Sequence, residues 1–171
     1  MKILLQIIFL GFVYLLISCE SNPVSSEAEL MDLAVLSKTP GFQWFDLEID
    51  KYQPDTALVN QIKTTYNPSV YSLVLYVKPS CSCPGTQQQF PAFIKTLREA
   101  GISETNYKVY SMNSEAAIHP FDSIFKVNEL PTFILLKNNR PIYSIGDTFY
   151  IGQRTGKTYK LEQLLLNGLA K

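Results

Sequence analysis

Two cysteines, Cys81 and Cys83, stand one residue apart in the stretch KPSCSCPGTQQQFP, Lys78 to Pro91. Thiols so placed can form a redox pair, clip a soft metal ion, or sit inert. Cys83 falls between an apolar run and a helical pattern, and Pro84 follows it; proline is favoured at the first helical position. Cys83 is therefore a candidate helix N-cap, with its sulfur beside unsatisfied N–H groups and the positive end of the helix dipole. Such surroundings favour the thiolate, the reactive form of cysteine. Thr86, three residues on, lies in the first turn, from which its hydroxyl can reach back toward the same sulfur.

The compartment decides what these thiols can do. The chain opens MKILLQIIFLGFVYLLISC, with Lys2 ahead of a predominantly apolar run from Ile3 to Ile17, then Ser18 and Cys19. A charged start, a short apolar core and a small residue before the cut read as a secretory signal. The run is shorter than the ~18 apolar residues of a spanning helix. Leu16-Ile17-Ser18-Cys19 resembles the lipobox of bacterial lipoproteins. That resemblance implies a signal peptide over 1–18, cleavage before Cys19, and acylation of Cys19 as a membrane anchor. Of the three cysteines, Cys81 and Cys83 then remain, outside the cytosol, where disulfides persist. The charge balance is neutral, 15 basic against 15 acidic residues, so no basic footprint argues for nucleic acid. Length and a 46% hydrophobic content suit one domain with a real core.

Residues 19–41 read as a lipidated N-terminus and tether. A short helix is expected from Ser26, because Ser26 and Glu29 are spaced as a capping box; the residues leave open whether it docks or only spaces the domain. Residues 42–171 carry the expected fold. Gln43 to Ile49 reads as a strand, being rich in aromatic and branched residues. Asp55 can cap a helix bearing Leu58, Val59 and Ile62. Tyr71 to Val77 reads as a strand buried on both sides. Gln87 to Ala100 has Phe90, Phe93, Ile94 and Leu97 at helical spacing, with Gly101 as its stop. Tyr107 to Met112 is a further strand, and Phe121 to Phe125 suggests a short helix. Thr132 to Leu136 and Ile142 to Ile145 form a hairpin, and Leu161 to Leu169 a closing helix with Leu161, Leu164 and Leu165 inward. The alternation predicts an α/β fold: a central mixed β-sheet of four to five strands flanked by helices on both faces.

A strand, a Cys-Pro turn, a helix with Pro91 inside it, and Leu130-Pro131-Thr132 before a hairpin together resemble the thioredoxin superfamily, over roughly Phe42 to Lys171. The register mark is Pro91, eight residues after Cys83, as in the helix-kinking proline of that family. The resemblance implies that Cys83 is the nucleophile and Pro131 a cis-proline beside it. It implies that the backbone at Leu130 pairs with an extended substrate. Lys137-Asn138-Asn139 matches the hairpin turn and Gly146 the glycine after the last strand. Two departures matter. Thr86 occupies the position of the usual second cysteine, and Val77 that of the buried acid. An ordinary dithiol mechanism through residue 86 is therefore closed.

Three readings follow. Cys81 can replace the resolving thiol, giving a thiol–disulfide oxidoreductase that acts on protein thiols or disulfides in the cell envelope. A cysteine pair at i, i+2 closes only in a bent backbone, because bridged Cα atoms must approach within ~7 Å. Alternatively, thioredoxin-like copper chaperones use two cysteines and a histidine, and thiolates favour Cu(I); His119 is the one histidine, and nothing in the sequence puts it beside Cys83. Third, the domain is a non-catalytic binding module. Pro84, Thr86, Leu130 and Pro131 shape the site under the first reading, with no cofactor and no metal. Gly152 to Thr158 is one residue short of a phosphate loop and reads as a loop or extra turn before the final helix. Trp44 and the ten tyrosines read as core and surface aromatics.

Overall fold

The computed structural model describes residues 27–79 and 85–171. Cys19, Ser26, Cys81, Cys83 and Pro84, and the readings that fall on them, lie outside the described residues.

The fold is α/β, built on a five-stranded mixed sheet in the order β1-β3-β2-β4-β5. The strands are β1 (Glu29–Leu30), β2 (Tyr71–Val77), β3 (Tyr107–Ser111), β4 (Thr132–Lys137) and β5 (Arg140–Ser144). β2 runs parallel to β3, with Leu73 opposite Tyr107 and Val77 opposite Ser111. The other three pairings, β1–β3, β2–β4 and β4–β5, are antiparallel. Parallel neighbours need a long crossover, and here it carries the helix α3 (Phe90–Glu99). β4 and β5 are joined by Asn138-Asn139, both at positive φ (51° and 61°). Two successive left-handed residues make the turn whose twist matches a hairpin, and asparagine tolerates that conformation.

Alternation along the strands splits the core. Leu73, Leu75 and Val77 of β2, with Phe133 and Leu135 of β4, face one side. Val74 and Tyr76, with Ile134 and Leu136, face the other. The first side carries the helices: α1 (Phe45–Lys51), α2 (Thr56–Thr65), α3, α4 (Ile145–Arg154) and α5 (Leu161–Leu169). Every helical residue of the two core clusters belongs to this side. Phe93 of α3 stacks on Phe133 with centroids 4.4 Å apart. The expectation of helices on both faces is corrected accordingly. The second side is covered by the chain between β3 and β4, through Ala117, Phe121, Phe125, Val127 and Leu130.

Several elements stand as the sequence implies. Asp55 caps α2, its carboxylate accepting from the N–H groups of Ala57 and Leu58, and Val59 and Ile62 are buried. β2 has the expected bounds, and α5 buries Leu161, Leu164 and Leu165. Gly101 closes α3 at φ 73°. Leu130–Pro131 is cis.

Others differ. Gln43 to Ile49 is not a strand; Phe45–Lys51 is helical. Phe42, Phe45 and Ile49, at i, i+3 and i+7, are its buried face, so helical spacing prevails over β-favouring residue types. The expected helix near Ser26 gives way to the strand Glu29–Leu30, followed by a 3₁₀ turn at Leu33–Lys38 capped by Asp32. Leu36 of that turn is buried in the core, so the segment is docked. Phe121 to Phe125 forms turns, with Phe121 C=O accepting from the N–H groups of both Ile124 and Phe125. Ile145 opens a helix instead of ending a strand, and Gly152 lies within it.

Candidate functional site

The chain around the cysteines enters from β2 and leaves into a helical turn. β2 ends at Val77, fully buried. Pro79, the last described residue before the cysteines, lines a cleft of about 290 Å³ together with Leu30, Phe42, Ser111 and Asn113. On the far side, Gly85–Gln89 forms a wide π-helical turn that runs into α3. Pro91 stands at the start of the regular helix. Its missing N–H removes one ladder bond and its ring crowds the carbonyl four residues back. Such an insult is accommodated by a local widening of the helix.

Gly85 fixes where this turn sits. A Cβ at that position would lie 2.8 Å from the hydroxyl oxygen of Tyr150 and 2.9 Å from Cδ of Pro131. Only glycine lets the backbone approach so closely. Residues 85 and 131, far apart in sequence, thus meet at the end of the cysteine stretch. Thr86 follows and is fully buried. Pro131 is buried and Leu130 half-buried. Of the residues expected to shape the site, Thr86, Leu130 and Pro131 therefore gather around one turn.

A second close approach seats α4 on the start of β4. A Cβ on Gly146 would stand 2.8 Å from Cα of Thr132. Ser144 caps α4 by accepting from the N–H of Asp147 at 3.1 Å, and its hydroxyl lies 3.4 Å from that of Thr132. Gly146 thereby packs α4 directly onto the residue after Pro131.

Tyr150, on α4, is a site residue that sequence reading misses. Its hydroxyl donates to the Leu130 carbonyl at 3.3 Å. Burial, and then the nearby Glu129 carboxylate, push its pKa up to about 12, so the phenol stays a donor at physiological pH. Ser144 and Asp147, spaced like the two ends of a capping box, are the sequence signal that could have revealed its helix. Next to the site, Tyr52, Gln88, Gln89, Phe149, Tyr159 and Leu161 enclose a cleft of about 430 Å³. Two of its walls are thus successive residues of the π turn.

His119 lies on the opposite side of the sheet. Its Nδ1 is 3.0 Å from the Tyr76 hydroxyl and accepts from the Phe121 N–H at 3.3 Å. The backbone N–H can only donate, so the neutral ring carries its proton on Nε2. Nε2 is buried and stands 3.6 Å from Asp122 Oδ1. The ring packs against Tyr76 and Phe125. Nδ1 is thus engaged on the face away from α3 and the π turn. Among the described residues, no group of three or more His, Cys, Asp or Glu side chains is placed to hold a metal ion, and no helix is long and apolar enough to cross a membrane.

No protein-family model matches the chain, and no curated protein or solved structure matches it significantly.

Proposed function

We propose that this protein is a thioredoxin-like thiol–disulfide exchange protein, held by an acylated Cys19 at a bacterial membrane outside the cytosol. Cys83 is the nucleophile and Cys81 the resolving thiol. The observation that carries this reading is the approach of Gly85 to Pro131. It sets the turn that follows Cys83 against the loop entering β4, as a substrate-pairing backbone beside a nucleophile requires. The sheet order, with β2 parallel to β3 and antiparallel to β4, supports the same fold.

The chemistry needs no cofactor. The Cys83 thiolate attacks one sulfur of a substrate disulfide; a protein–substrate disulfide forms and the other substrate sulfur leaves as thiolate. The Cys81 thiolate then attacks Cys83 sulfur and expels the second substrate thiolate. The protein pair is oxidised to a disulfide and the substrate disulfide is reduced to two thiols. Run backward, the same steps oxidise a substrate dithiol. With Thr86 at the usual second position and Val77 in place of an acid, both roles fall to the Cys-x-Cys pair.

The test is a redox titration of the full chain carrying Cys19→Ala, in detergent. Free thiols are alkylated and intact mass is read across glutathione buffers. Joint protection of Cys81 and Cys83 at one potential, with no glutathione retained, is the expected result. If both remain alkylatable, or one only accumulates glutathione, the exchange mechanism fails. A Cu(I) site or a non-catalytic binding module then becomes the better reading.

A further inference from the structure

One face of α4 grips the segment that enters Pro131. Asp147, Tyr150 and Arg154 fall at i, i+3 and i+7, so they share one side of the helix. Asp147 accepts from the side-chain amide of Asn128 at 3.3 Å. Arg154 pairs with the carboxylate of Glu129. Tyr150 donates to the carbonyl of Leu130. Three consecutive residues, 128 to 130, are each tied to one member of the stripe. Tyr150 also reaches the other half of the site, because its hydroxyl abuts Gly85.

A carbonyl oxygen has two acceptor directions. Tyr150 takes one at Leu130 and so orients the other. A polypeptide that adds as an extended strand recognises its partner through backbone N–H and C=O groups. A compact disulfide without such a backbone run makes no use of them.

We propose that Tyr150 is a positioning residue that aims the Leu130 carbonyl at an extended polypeptide substrate and sets its distance from the turn after Cys83. This rests on the exchange reading above and on the extended substrate that the resemblance implies at Leu130; what it adds is the residue that holds that carbonyl in place and so favours extended chains over small disulfides. The reacting step is unchanged. Cys83 thiolate displaces a thiolate from the substrate disulfide, and Tyr150 acts through its bond to Leu130.

The test compares two substrates on the full chain carrying Cys19→Ala. One is an extended peptide with a single cysteine blocked as its glutathione mixed disulfide; the other is glutathione disulfide itself. Tyr150→Phe removes one hydroxyl and keeps the ring. It is expected to lower the second-order rate with the peptide roughly fivefold, the loss of about one hydrogen bond. The rate with glutathione disulfide should stay within about twofold. Thr148→Ala, which cuts a bond between the Thr148 hydroxyl and the Ser144 carbonyl on the same helix, should leave the ratio of the two rates at its starting value. An unchanged ratio in Tyr150→Phe, or an equal fall in Thr148→Ala, overturns the role of Tyr150 while exchange itself stands. A parent chain that reacts with neither disulfide overturns the exchange reading and this inference together.

Discussion

The Tyr76 hydroxyl and Nδ1 of His119 meet at 3.0 Å on the face of the sheet opposite the five helices α1 to α5. β2 supplies the tyrosine, and the turn-rich chain after β3 supplies the histidine. The pair is therefore a polar pin through an otherwise apolar contact with Phe125 and Tyr110.

That pin makes stability depend on pH. Burial holds the His119 pKa below its ordinary 6.5; Asp122 opposes this and Lys126 adds to it. Above the unfolded value, both states are neutral at this site and its contribution is intact. As pH falls below it, the unfolded chain binds a proton that the folded ring resists, and stability is lost down through the lowered folded pKa. Protonation would also set an N–H on Nδ1 against the Phe121 N–H. The stability of wild type relative to His119→Gln should thus decline as pH falls through the ordinary histidine range and below it. Urea melts at several pH values measure it, and a flat difference would refute the pin.

Glu162 is the buried carboxylate of the helical side. Its Oε1 accepts from the Tyr52 hydroxyl at 2.7 Å and from the Asp55 N–H at 3.2 Å, tying α5 to the start of α2. Glu162→Ala leaves two half-buried donors without that acceptor, and should cost about 1–3 kcal/mol. Glu162→Gln keeps an acceptor for Tyr52 and should cost less. Equilibrium urea unfolding gives both numbers; equal losses would show that the acceptor is not what matters.

Two glycines should respond differently to an added methyl. At Gly146 it would meet Thr132 backbone at 2.8 Å, whereas at Gly101 nothing lies within 4 Å. Gly146→Ala must move α4 off β4 and should lose about 2–3 kcal/mol. Gly101→Ala meets only the left-handed conformation, a cost of about 1 kcal/mol. The order is the test, and thermal melts of the two variants decide it.

Asn139 stands at φ 61° in the two-residue turn between β4 and β5. Glycine is favoured at that turn position. Asn139→Gly is expected to raise stability by up to about 1 kcal/mol, the strain relieved less the added freedom of the unfolded chain. A lower melting temperature would contradict this.

What the sequence discloses is uneven, for physical reasons. β2 and α5 are legible because a buried strand and an amphipathic helix each carry a strong apolar pattern. α2 is announced by its Asp55 cap. α1 is hidden because Phe, Trp and Ile suggest a strand, while the i, i+3, i+7 spacing of Phe42, Phe45 and Ile49 is spread over a segment closely preceded by Pro40-Gly41. α4 is hidden by Gly146 and Gly152, both poor helix formers. Each is demanded by tertiary packing, against Thr132 and Tyr159 respectively. The site divides likewise. Thr86, Leu130 and Pro131 are found through motif register, whereas Tyr150 enters only once α4 is folded onto the loop before β4.

The short strand β1 has a consequence of its own. Glu29 and Leu30 lie opposite Ser111 and Tyr110, and Met31 N–H bonds the Val109 carbonyl at 2.8 Å. They cap the outer rim of β3 with this chain's own backbone. An uncapped rim is a template for any other extended chain. Trimming the arm before Met31 would bare part of that rim and invite copies of the domain to pair edge to edge. The arm therefore shields one of the sheet's two outer sides, β5 forming the other, and a protease that removes it would expose a further surface on which an extended chain can add.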